Sequence, residues 1–343
     1  MTRIALLGAT GSIGRQAIEV IEASPDLELV AAASGTTAID GLAPLTQVGG
    51  DLTELLDRAE PDVVLNAVVG FAGLAPTMWA LEHGVTLALA NKESLVAAGD
   101  LALAALERGG GSIIPVDSEH SALFQCIQLG EPESLVVTAS GGPFRGRTRA
   151  DLVDVTPAAA LAHPTWNMGP KITIDSATLA NKGLEVIEAH FLFGMPYDRI
   201  DVVVHPTSIV HGLVRFRDGA SIAHLGYPDM RVPISYALTY PARASTPVPP
   251  LELTTLEFFP PDHDTFRMLG LARESGVRGG TYPCAYNAAN EVAVAAFLTG
   301  KIGFLDIAAV VEDALGRVTG APAQTLDELY AADRAARDAV QLP

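Results

Sequence analysis

The chain has little cysteine, few basic residues and no long uninterrupted apolar run. Its two cysteines, Cys126 and Cys284, are too few for a disulfide framework and suit a reducing compartment. Lys and Arg number 22 against 40 Asp and Glu, and the resulting net charge of −18 argues against nucleic acid and anionic membranes as partners. No apolar stretch reaches membrane-spanning length, and the N-terminus lacks the regions of a signal peptide. We therefore expect a cytoplasmic protein with no membrane partner.

Aromatic residues are also scarce, and the composition indicates layered α/β architecture. Hydrophobic residues make up 49% of the chain and aromatic residues 6%, a mixture typical of sheets and helices rich in Ala, Val and Leu. A length of 343 residues is more than one core usually needs, so two or three domains are expected. Because the net charge is strongly negative, a phosphorylated ligand would need a focused local site.

A glycine-rich turn near the N-terminus predicts nucleotide binding. The apolar run Arg3 to Leu7 is typical of a buried parallel strand, and Gly8 to Gly14 follows with the spacing G-x-x-G-x-x-G before a helical pattern. Glycines there would let the backbone approach a pyrophosphate at the start of the helix. The alternative is a plain glycine-rich turn, but its position after a clean strand favours nucleotide binding.

The end of the second predicted strand bears on the choice of nucleotide. Leu27 to Ala33 leads into Ser34, Gly35, Thr36 and Thr37, where an acid would bind the ribose 2′-hydroxyl of NAD. No acid is present, so small hydroxyls leave room for the 2′-phosphate of NADP. No Lys or Arg stands there to hold that phosphate either.

Polar residues follow two further predicted strands. Asn91-Lys92-Glu93-Ser94 comes after the strand Val85 to Ala90, and Asp117-Ser118-Glu119 after the strand Ile113 to Val116. The carboxyl ends of parallel strands face the ligand crevice of such sheets. At extended spacing Asp117 and Glu119 would point to one side and could share a cation. A helix cap explains Asp117 equally well.

Two further segments are candidates for binding an anion and closing over it. Ser140 is followed by two glycines and could present a hydroxyl and free N–H groups. The segment His163 to Lys171 carries Trp166 and Met168 between prolines and glycines, which predicts a mobile lid that excludes water. The alternative is that both side chains simply pack beneath the loop.

A helix beginning at a Ser176 cap is predicted to present an amide, an ammonium and a carboxylate on one face. Asn181 lies four residues before Glu185, and Lys182 lies three before it. If Glu185 meets Asp117 and Glu119, three oxygen ligands could hold one hard cation. The alternative is a surface Lys–Glu pair, worth only ~0.3–0.5 kcal/mol.

Together these segments resemble the 1-deoxy-D-xylulose 5-phosphate reductoisomerase family of the non-mevalonate isoprenoid pathway. They occur in family order over most of the chain, which makes the joint match specific. The matching segments are Gly8 to Gly14, Ala90 to Val96, Pro115 to His120, Ala139 to Phe144, His163 to Gly169, Asp175 to Glu185, His205 to His211, Leu225 to Arg231 and Asn287 to Glu291.

The resemblance implies NADPH- and divalent-metal-dependent isomerisation and reduction of 1-deoxy-D-xylulose 5-phosphate to 2-C-methyl-D-erythritol 4-phosphate. It implies Mg²⁺, Mn²⁺ or Co²⁺ on Asp117, Glu119 and Glu185, which with Lys92 and His163 form the catalytic set. It also implies a homodimer. Substrate would be held by Lys92, Ser118, Glu119, Ser140, His163, Ser176, Asn181, Lys182 and Glu185. The cofactor would be lined by Thr10, Gly11, Ser12, Ile13, Gly35, Thr36, Thr37, Asn91, Glu93 and Gly169.

The expected fold is α/β with three parts. A Rossmann-like NADP-binding domain is predicted over residues 1–116, and an α+β catalytic domain with the lid over 117–243. A proline-rich linker over 244–261 and a small helical domain over 262–343 follow, and Asn287 and Asn290 are expected to cap a helix. Two departures from the family stand out. Thr36 and Thr37 replace its usual Lys, Arg or Asn, and the stretch 38–61 is shorter than the family's usual one, which predicts that a strand–helix portion is trimmed.

Two other functions remain open from the sequence. A simpler dehydrogenase acting on a phosphorylated or acidic substrate would not need a metal. A non-catalytic sensor of nucleotide and sugar phosphate would bind both without oxidising the cofactor. The set of three carboxylates favours the metal-dependent enzyme over either.

Overall fold

The first third of the chain forms a six-stranded parallel sheet. The computed structural model describes residues 1–342. The strand order is β3-β2-β1-β4-β5-β6, the order of a doubly wound dinucleotide-binding sheet. The strands are β1 Thr2–Leu7, β2 Leu27–Ser34, β3 Leu45–Val48, β4 Val63–Asn66, β5 Thr86–Leu89 and β6 Ser112–Pro115. The near-continuous apolar runs of β1 and β4 are explained by burial on both faces, whereas the edge strand β3 is only partly buried.

Four helices cover this sheet. They are α1 Ser12–Glu22, α2 Leu52–Ala59, α3 Leu74–Glu82 and α4 Lys92–Gly109. The Rossmann-like fold predicted for this region is therefore confirmed. The stretch 38–61, predicted to have lost a strand–helix portion, still contains β3 and α2. Residues 35–44, which join β2 to β3, form turns and bends without a helix.

The second sheet is smaller and mixed. Its order is β10-β9-β7-β8, with β7 parallel to β8 and antiparallel to β9. The elements of this region, in chain order, are α5 Ser118–Ile127, β7 Pro132–Ala139, α6 Pro157–Ala160, α7 Pro170–Thr178, α8 Ala180–Phe193, β8 Ile200–Val204, β9 Val210–Phe216, β10 Ser221–Leu225 and α9 Arg231–Thr239.

Two predictions about this region are wrong. Ser176 does not cap a helix, because α7 already begins at Pro170 and Ser176 lies inside it; the chain then breaks at Leu179, whose φ is 61°. Asp117 and Glu119 are not at extended spacing either. Asp117 stands at the N-cap of α5 and Glu119 lies in its first turn. Helical rather than extended geometry therefore positions both carboxylates.

The C-terminal part is helical, as predicted. Residues 241–267 contain no helix, and an isolated bridge between Val204 and Phe259 pairs this proline-rich stretch with β8 of the second sheet. The helices that follow are α10 Met268–Arg278, α11 Tyr282–Leu298, α12 Asp306–Arg317 and α13 Leu326–Ala339. Pro343, the end of the predicted third domain, lies outside the described residues. Within residues 1–342 no helix is both long and apolar enough to cross a membrane.

The prediction that Asn287 and Asn290 cap a helix is wrong. Both lie in the second turn of α11 or beyond and are fully buried. Asn290 Nδ2 donates to Asp175 Oδ1 at 2.8 Å, and Asn287 Nδ2 donates to Glu291 Oε1 at 3.0 Å. The Asn290 amide thus joins α11 to α7, while the Asn287 amide bonds a carboxylate of its own helix.

Candidate active site

The glycine turn after β1 is built for close backbone approach. Gly8 has φ +87°, and a Cβ there would lie 2.5 Å from the carbonyl oxygen of Ala67. A Cβ on Gly14 would lie 2.2 Å from the carbonyl oxygen of Gly8, so only glycine lets α1 pack onto the strand end. The turn thus carries the N-terminus of α1 to the mouth of a crevice, as a pyrophosphate site requires.

A cavity of about 560 Å³ extends from this turn to the second sheet. Gly11, Ser12 and Ile13 line one end of it. The other end is lined by polar residues from α4, α5, α7, α8 and the turn after β7, namely Lys92, Glu93, Asp117, Ser118, Glu119, Ser140, Ser176, Asn181 and Lys182. The fold therefore brings the predicted cofactor turn and most of the predicted substrate residues to one crevice.

Three carboxylates converge at the inner end of this cavity. Asp117 and Glu119 come from the start of α5, and Glu185 comes from α8, where it is fully buried. One oxygen of each carboxylate lies within 4.8 Å of the others. Oxygen ligands at this spacing suit a hard divalent cation.

Two buried ammonium groups balance these carboxylates. Lys92 Nζ lies 3.0 Å from Glu185 Oε1 and also contacts Asp117 Oδ2. Lys182 Nζ lies 2.5 Å from Glu119 Oε1 and 2.6 Å from Glu185 Oε2. Burial by itself would lower the pKa of Lys92, but the Asp117 and Glu185 carboxylates hold that pKa well above its ordinary value. Both lysines are therefore charged.

The residues present fit a divalent cation. Burial, and then the charge of Glu119, raises the pKa of Glu185, so the carboxylates repel one another even beside the lysines. Asp117 Oδ2 is buried and has no hydrogen bond of good geometry. A cation among the three carboxylates would relieve the repulsion and coordinate that oxygen.

A second group of possible ligands, Asp117, His120 and Glu188, fits a metal less well. His120 Nδ1 lies 3.3 Å from Glu188 Oε2, and its Nε2 bonds the carbonyl of Glu185 at 3.0 Å. Burial lowers the pKa of His120, but the Glu188 and Asp117 carboxylates raise it to about 9. A metal bound here would have to displace the proton that this pKa keeps on the imidazole. His120 Nδ1 lies 3.6 Å from Asp117 Oδ2, behind the first group of carboxylates.

His163 joins two serines at the other side of the cavity. Its Nε2 lies 3.0 Å from Ser140 Oγ and 3.1 Å from Ser176 Oγ. Its Nδ1 accepts hydrogen bonds from the backbone N–H groups of Thr165 and Trp166 at 3.1 and 2.9 Å. Nδ1 is therefore unprotonated, and Nε2 carries the proton. Burial, and then the charge of Lys182, lowers the pKa of His163, which keeps the ring neutral.

The lid was predicted over His163 to Lys171; residues 163–169 border the cavity without regular secondary structure, whereas Pro170 and Lys171 already belong to α7. Trp166 and Met168 are half-buried and line the cavity, and the Trp166 ring centroid lies 6.4 Å from that of His211. Ser12 Oγ donates to the carbonyl of Asn167 at 3.4 Å, which links the lid to the glycine turn. The side chains of Trp166 and Met168 thus face the crevice and do not pack into a core beneath the loop.

The break at Leu179 explains how Ser176 and the start of α8 reach the same cavity. Helices α7 and α8 meet there at a left-handed residue, so their axes do not continue. Asn181 Oδ1 accepts from Lys92 Nζ at 2.9 Å, and Asn181 Nδ2 donates to Glu185 Oε1 at 2.5 Å. The predicted face of amide, ammonium and carboxylate exists, but it is buried and linked to α4.

The predicted cofactor residues occupy three kinds of position. Gly169 and Glu93 line the main cavity with the glycine turn, while Thr10 and Thr37 line a second cavity beside it. Gly35 and Thr36 precede Thr37 in the same exposed turn. Asn91 is buried at the N-cap of α4, where its amide bonds the carbonyls of Val68 and Gly70 at 2.7 and 2.8 Å. Its side chain supports the crevice from below.

Sequence reasoning missed several charged residues around the site. Lys171 Nζ lies 3.0 Å from Glu93 Oε1 and 2.9 Å from Asp175 Oδ2, so it joins the lid's end to α4. His120 and Glu188 were also missed, although Glu188 lies three residues after Glu185 on the same helix and His120 directly follows Glu119. Nothing local marks Asn290, whose partner Asp175 is distant in sequence.

The fold and the site define a dinucleotide-binding α/β protein with a candidate metal centre of three carboxylates. Family models described as 1-deoxy-D-xylulose 5-phosphate reductoisomerase match residues 4–49 and 46–99. Models for the C-terminal domains of the same enzyme match residues 113–193 and 225–339. The chain belongs to the 1-deoxy-D-xylulose 5-phosphate reductoisomerase family.

Individual relatives agree over nearly the whole chain. The 1-deoxy-D-xylulose 5-phosphate reductoisomerase of Thermomicrobium roseum is 49% identical, over 97% of this chain and 95% of the relative. The solved Zymomonas mobilis enzyme in complex with NADPH is 39% identical, with a TM-score of 0.89 over 98% of this chain and 97% of that one. A reductoisomerase structure with NADPH, fosmidomycin and magnesium is 36% identical, with a TM-score of 0.91 over the same shares.

Proposed function

We propose that this chain converts 1-deoxy-D-xylulose 5-phosphate to 2-C-methyl-D-erythritol 4-phosphate, with NADPH and a divalent metal, for isoprenoid precursor synthesis. It is thus an NADP-dependent oxidoreductase. The observation that carries the proposal is that Asp117 and Glu119, which line the crevice that begins at the glycine turn, meet the buried Glu185. Family membership and the relatives solved with NADPH and magnesium support it.

Asp117, Glu119 and Glu185 would hold the metal. When bound, such an ion supplies a Lewis acid for neighbouring substrate oxygens, and the nicotinamide supplies a hydride. Lys92 lies against two of the three carboxylates and would reach the reacting end of the substrate. Its ammonium favours developing negative charge on oxygen, because it is buried and held in place.

The phosphate end would lie between Ser140, Ser176, His163, Asn181 and Lys182. Ser140 and Ser176 share one partner, the Nε2 proton of His163, so both hydroxyls remain able to donate to an anion. Lys182 supplies the positive charge, and Ser118 would bind a substrate hydroxyl nearby. A chain with net charge −18 needs such a focused site, since its overall field repels anions.

The lid would exclude water while the substrate skeleton rearranges. Trp166 and Met168 line the same cavity as the two lysines. Gly169, at the end of the lid, is the N-cap residue of α7. A closed lid would retain the intermediate aldehyde until hydride transfer and strengthen the charge interactions within.

The proposal also includes the finer features expected from the sequence. Mn²⁺ and Co²⁺ are expected to replace Mg²⁺, since all three accept oxygen ligands in octahedral geometry. The chain is proposed to work in the cytoplasm as a homodimer. Two buried free cysteines support a reducing location. The domain division at residues 116, 243 and 261 belongs to this proposal, supported by the two separate sheets and the stretch 241–267.

The substitution Glu185→Gln tests the proposal directly. It keeps the shape of the side chain but removes one of three ligand charges, so kcat/KM should fall at least ~10³-fold. Turnover is followed by NADPH oxidation with the ketose phosphate and Mg²⁺. Calorimetry with Mn²⁺ should show weaker metal binding, while NADPH binding at the glycine turn stays unchanged.

A matched control is Glu107→Gln, an exposed glutamate on α4, which should leave all these values unchanged. Retained turnover in Glu185→Gln would overturn the assigned metal site. Turnover of the wild-type chain that resists EDTA would favour a simpler dehydrogenase. Binding of both ligands with no change in cofactor absorbance would favour a sensor.

A further inference from the structure

A second cavity of about 620 Å³ lies beside the glycine turn, on the side of the second strand. Thr10 and Arg15 line it from the turn and α1, and Thr37 and Asp40 line it from the segment after β2. In dinucleotide-binding sheets the ribose next to the glycine turn meets the end of the second strand. The position of this cavity therefore matches the 2′ substituent of that ribose.

The turn after β2 is held in place by its own residues. The hydroxyl of Ser34 donates to the carbonyl of Thr37, which fixes the exposed turn 35–37 at the cavity edge. β2 also pairs with β1 in parallel, so this edge lies next to the glycine turn. Thr37 lines the cavity and Thr36 precedes it in the exposed turn; both offer neutral hydroxyls, but they bring no positive charge for a phosphate.

Arg15 brings that charge from a different element. It is exposed in the first turns of α1, and its Nη1 donates to the carbonyl of Thr10 at 2.5 Å, which directs the guanidinium over the glycine turn. None of the ion pairs formed among residues 1–342 involves Arg15. Four of its five N–H groups are not engaged by Thr10.

Asp40 is the competing group in this cavity. A carboxylate there could accept from the 2′-hydroxyl of NADH and would repel a phosphate. Asp40 is exposed, lies six residues beyond the end of β2, and does not pair with Arg15. Arg15 is instead hydrogen-bonded to the glycine turn, where the pyrophosphate of the nucleotide would bind.

We propose that Arg15, assisted by the hydroxyls of Thr36 and Thr37, binds the 2′-phosphate of NADPH and sets the preference for NADPH over NADH. The inference rests on the proposed function, since it assumes that the nucleotide is this enzyme's cofactor. An Arg–phosphate contact is charge-assisted and can be bidentate, and NADH lacks its acceptor. The positive charge that the family usually places after β2 is thus supplied here from α1.

The test compares the dissociation constants of both cofactors, measured by fluorescence on the full chain without substrate. For Arg15→Gln the NADPH value should rise about 10- to 100-fold, as expected for loss of a charged hydrogen bond. The NADH value should stay within about twofold, since neutral contacts are kept. Arg108→Gln, an exposed arginine in the last turn of α4, is the matched control and should change neither value.

Two results would overturn the inference. An equal loss for both cofactors would mean that Arg15 supports the glycine turn through Thr10, and no loss would mean that it does not touch the phosphate. Adding Thr36→Lys to Arg15→Gln should restore NADPH binding, because a cation returns to the same cavity edge. The binding measurement needs no turnover, so it is independent of the proposed reaction. If the proposed reaction were wrong, NADPH would still bind tightly but would not be oxidised when the ketose phosphate is added.

Discussion

At the scale of single residues, the neighbours of His163 determine which of its ring nitrogens carries the proton. Two backbone N–H groups of the lid donate to Nδ1, which forces the proton onto Nε2 and toward Ser140 and Ser176. One imidazole therefore fixes the fold of the lid's first residues and the orientation of two hydroxyls.

The lid should loosen in mild acid. The folded pKa of His163 lies below its ordinary value of 6.5, so the folded state prefers the neutral ring. The neutral ring stabilises the folded lid fully above pH 6.5, and this stabilisation is lost as pH falls through the lowered pKa. A proton on Nδ1 then removes the atom that accepts the hydrogen bonds of Thr165 and Trp166. Trp166 fluorescence, read in a Trp79→Phe background, should change with a midpoint below 6.5.

The variant His163→Gln provides the control for this titration, because it cannot titrate there. His211 also lies near Trp166, and burial lowers its pKa, so a transition that persists in His163→Gln would belong to His211. A midpoint at or above 6.5 in the parent protein would contradict the assigned tautomer.

At the scale of elements, the position of α8 decides the geometry of the site, because α8 carries Asn181, Lys182 and Glu185. Gly183 lies among them and faces α10, where a Cβ would lie 2.4 Å from the Cβ of Ala272. Glycine at this helix position allows the two helices to pack closely.

Gly183→Ala should therefore destabilise the protein in spite of the better helix propensity of alanine. Overpacking costs ~1–3 kcal/mol, more than the ~1 kcal/mol that replacing a helical glycine contributes. The free energy of unfolding in urea should fall, and metal affinity should weaken as α8 shifts.

Gly270→Ala on α10 is the matched control. A Cβ there meets nothing within 4 Å, so this change should stabilise the protein by ~0.5–1 kcal/mol. A gain of stability in Gly183→Ala as well would show that the close approach of the two helices is not needed.

At the scale of the whole molecule, the C-terminal helices complete the core of the first sheet. Leu329 of α13 is 2% exposed and belongs to the same apolar cluster as Leu55 and Leu74. Arg337 of α13 pairs with Glu291 at 2.7 Å, and Glu291 accepts from the backbone N–H of Phe71. The last helix thus stabilises the first domain.

Leu329→Ala should lower the stability of the first sheet and its helices, although Leu329 is far from them in sequence. A buried Leu→Ala change costs ~2–5 kcal/mol. Trp79 packs against the same cluster, so in a Trp166→Phe background its fluorescence should report an earlier urea midpoint that coincides with loss of helical circular dichroism.

For comparison, Leu253→Ala removes a leucine that is 78% exposed and should leave the midpoint unchanged. If Leu329→Ala shifts the circular dichroism but not the Trp79 signal, the C-terminal helices unfold apart from the first sheet, and the shared core does not couple them.

Strands β1, β2, β5 and β6 of the first sheet could be predicted because burial leaves apolar runs that end in glycine or polar residues. β3 was not predicted, because its sequence LTQV is only partly buried and gives no apolar run. The start of α7 was not predicted either, since Pro170 at its first turn looks like part of a loop, and the cap assigned to Ser176 was wrong. Asn287 and Asn290 were misassigned because an amide gives no local sign that it lies buried inside a helix, and because the carboxylate that Asn290 bonds, Asp175, is distant in sequence.

The sequence by itself determined the glycine turn, several buried strands of the first sheet and the residue types that a metal and a phosphate need, because these depend on local spacing and on burial along one segment. Only the tertiary structure decided that Asp117 and Glu119 meet Glu185 beside two lysines, and that Arg15 faces the turn that contains Thr37. Charges from separate segments interact strongly only after packing has removed the water between them.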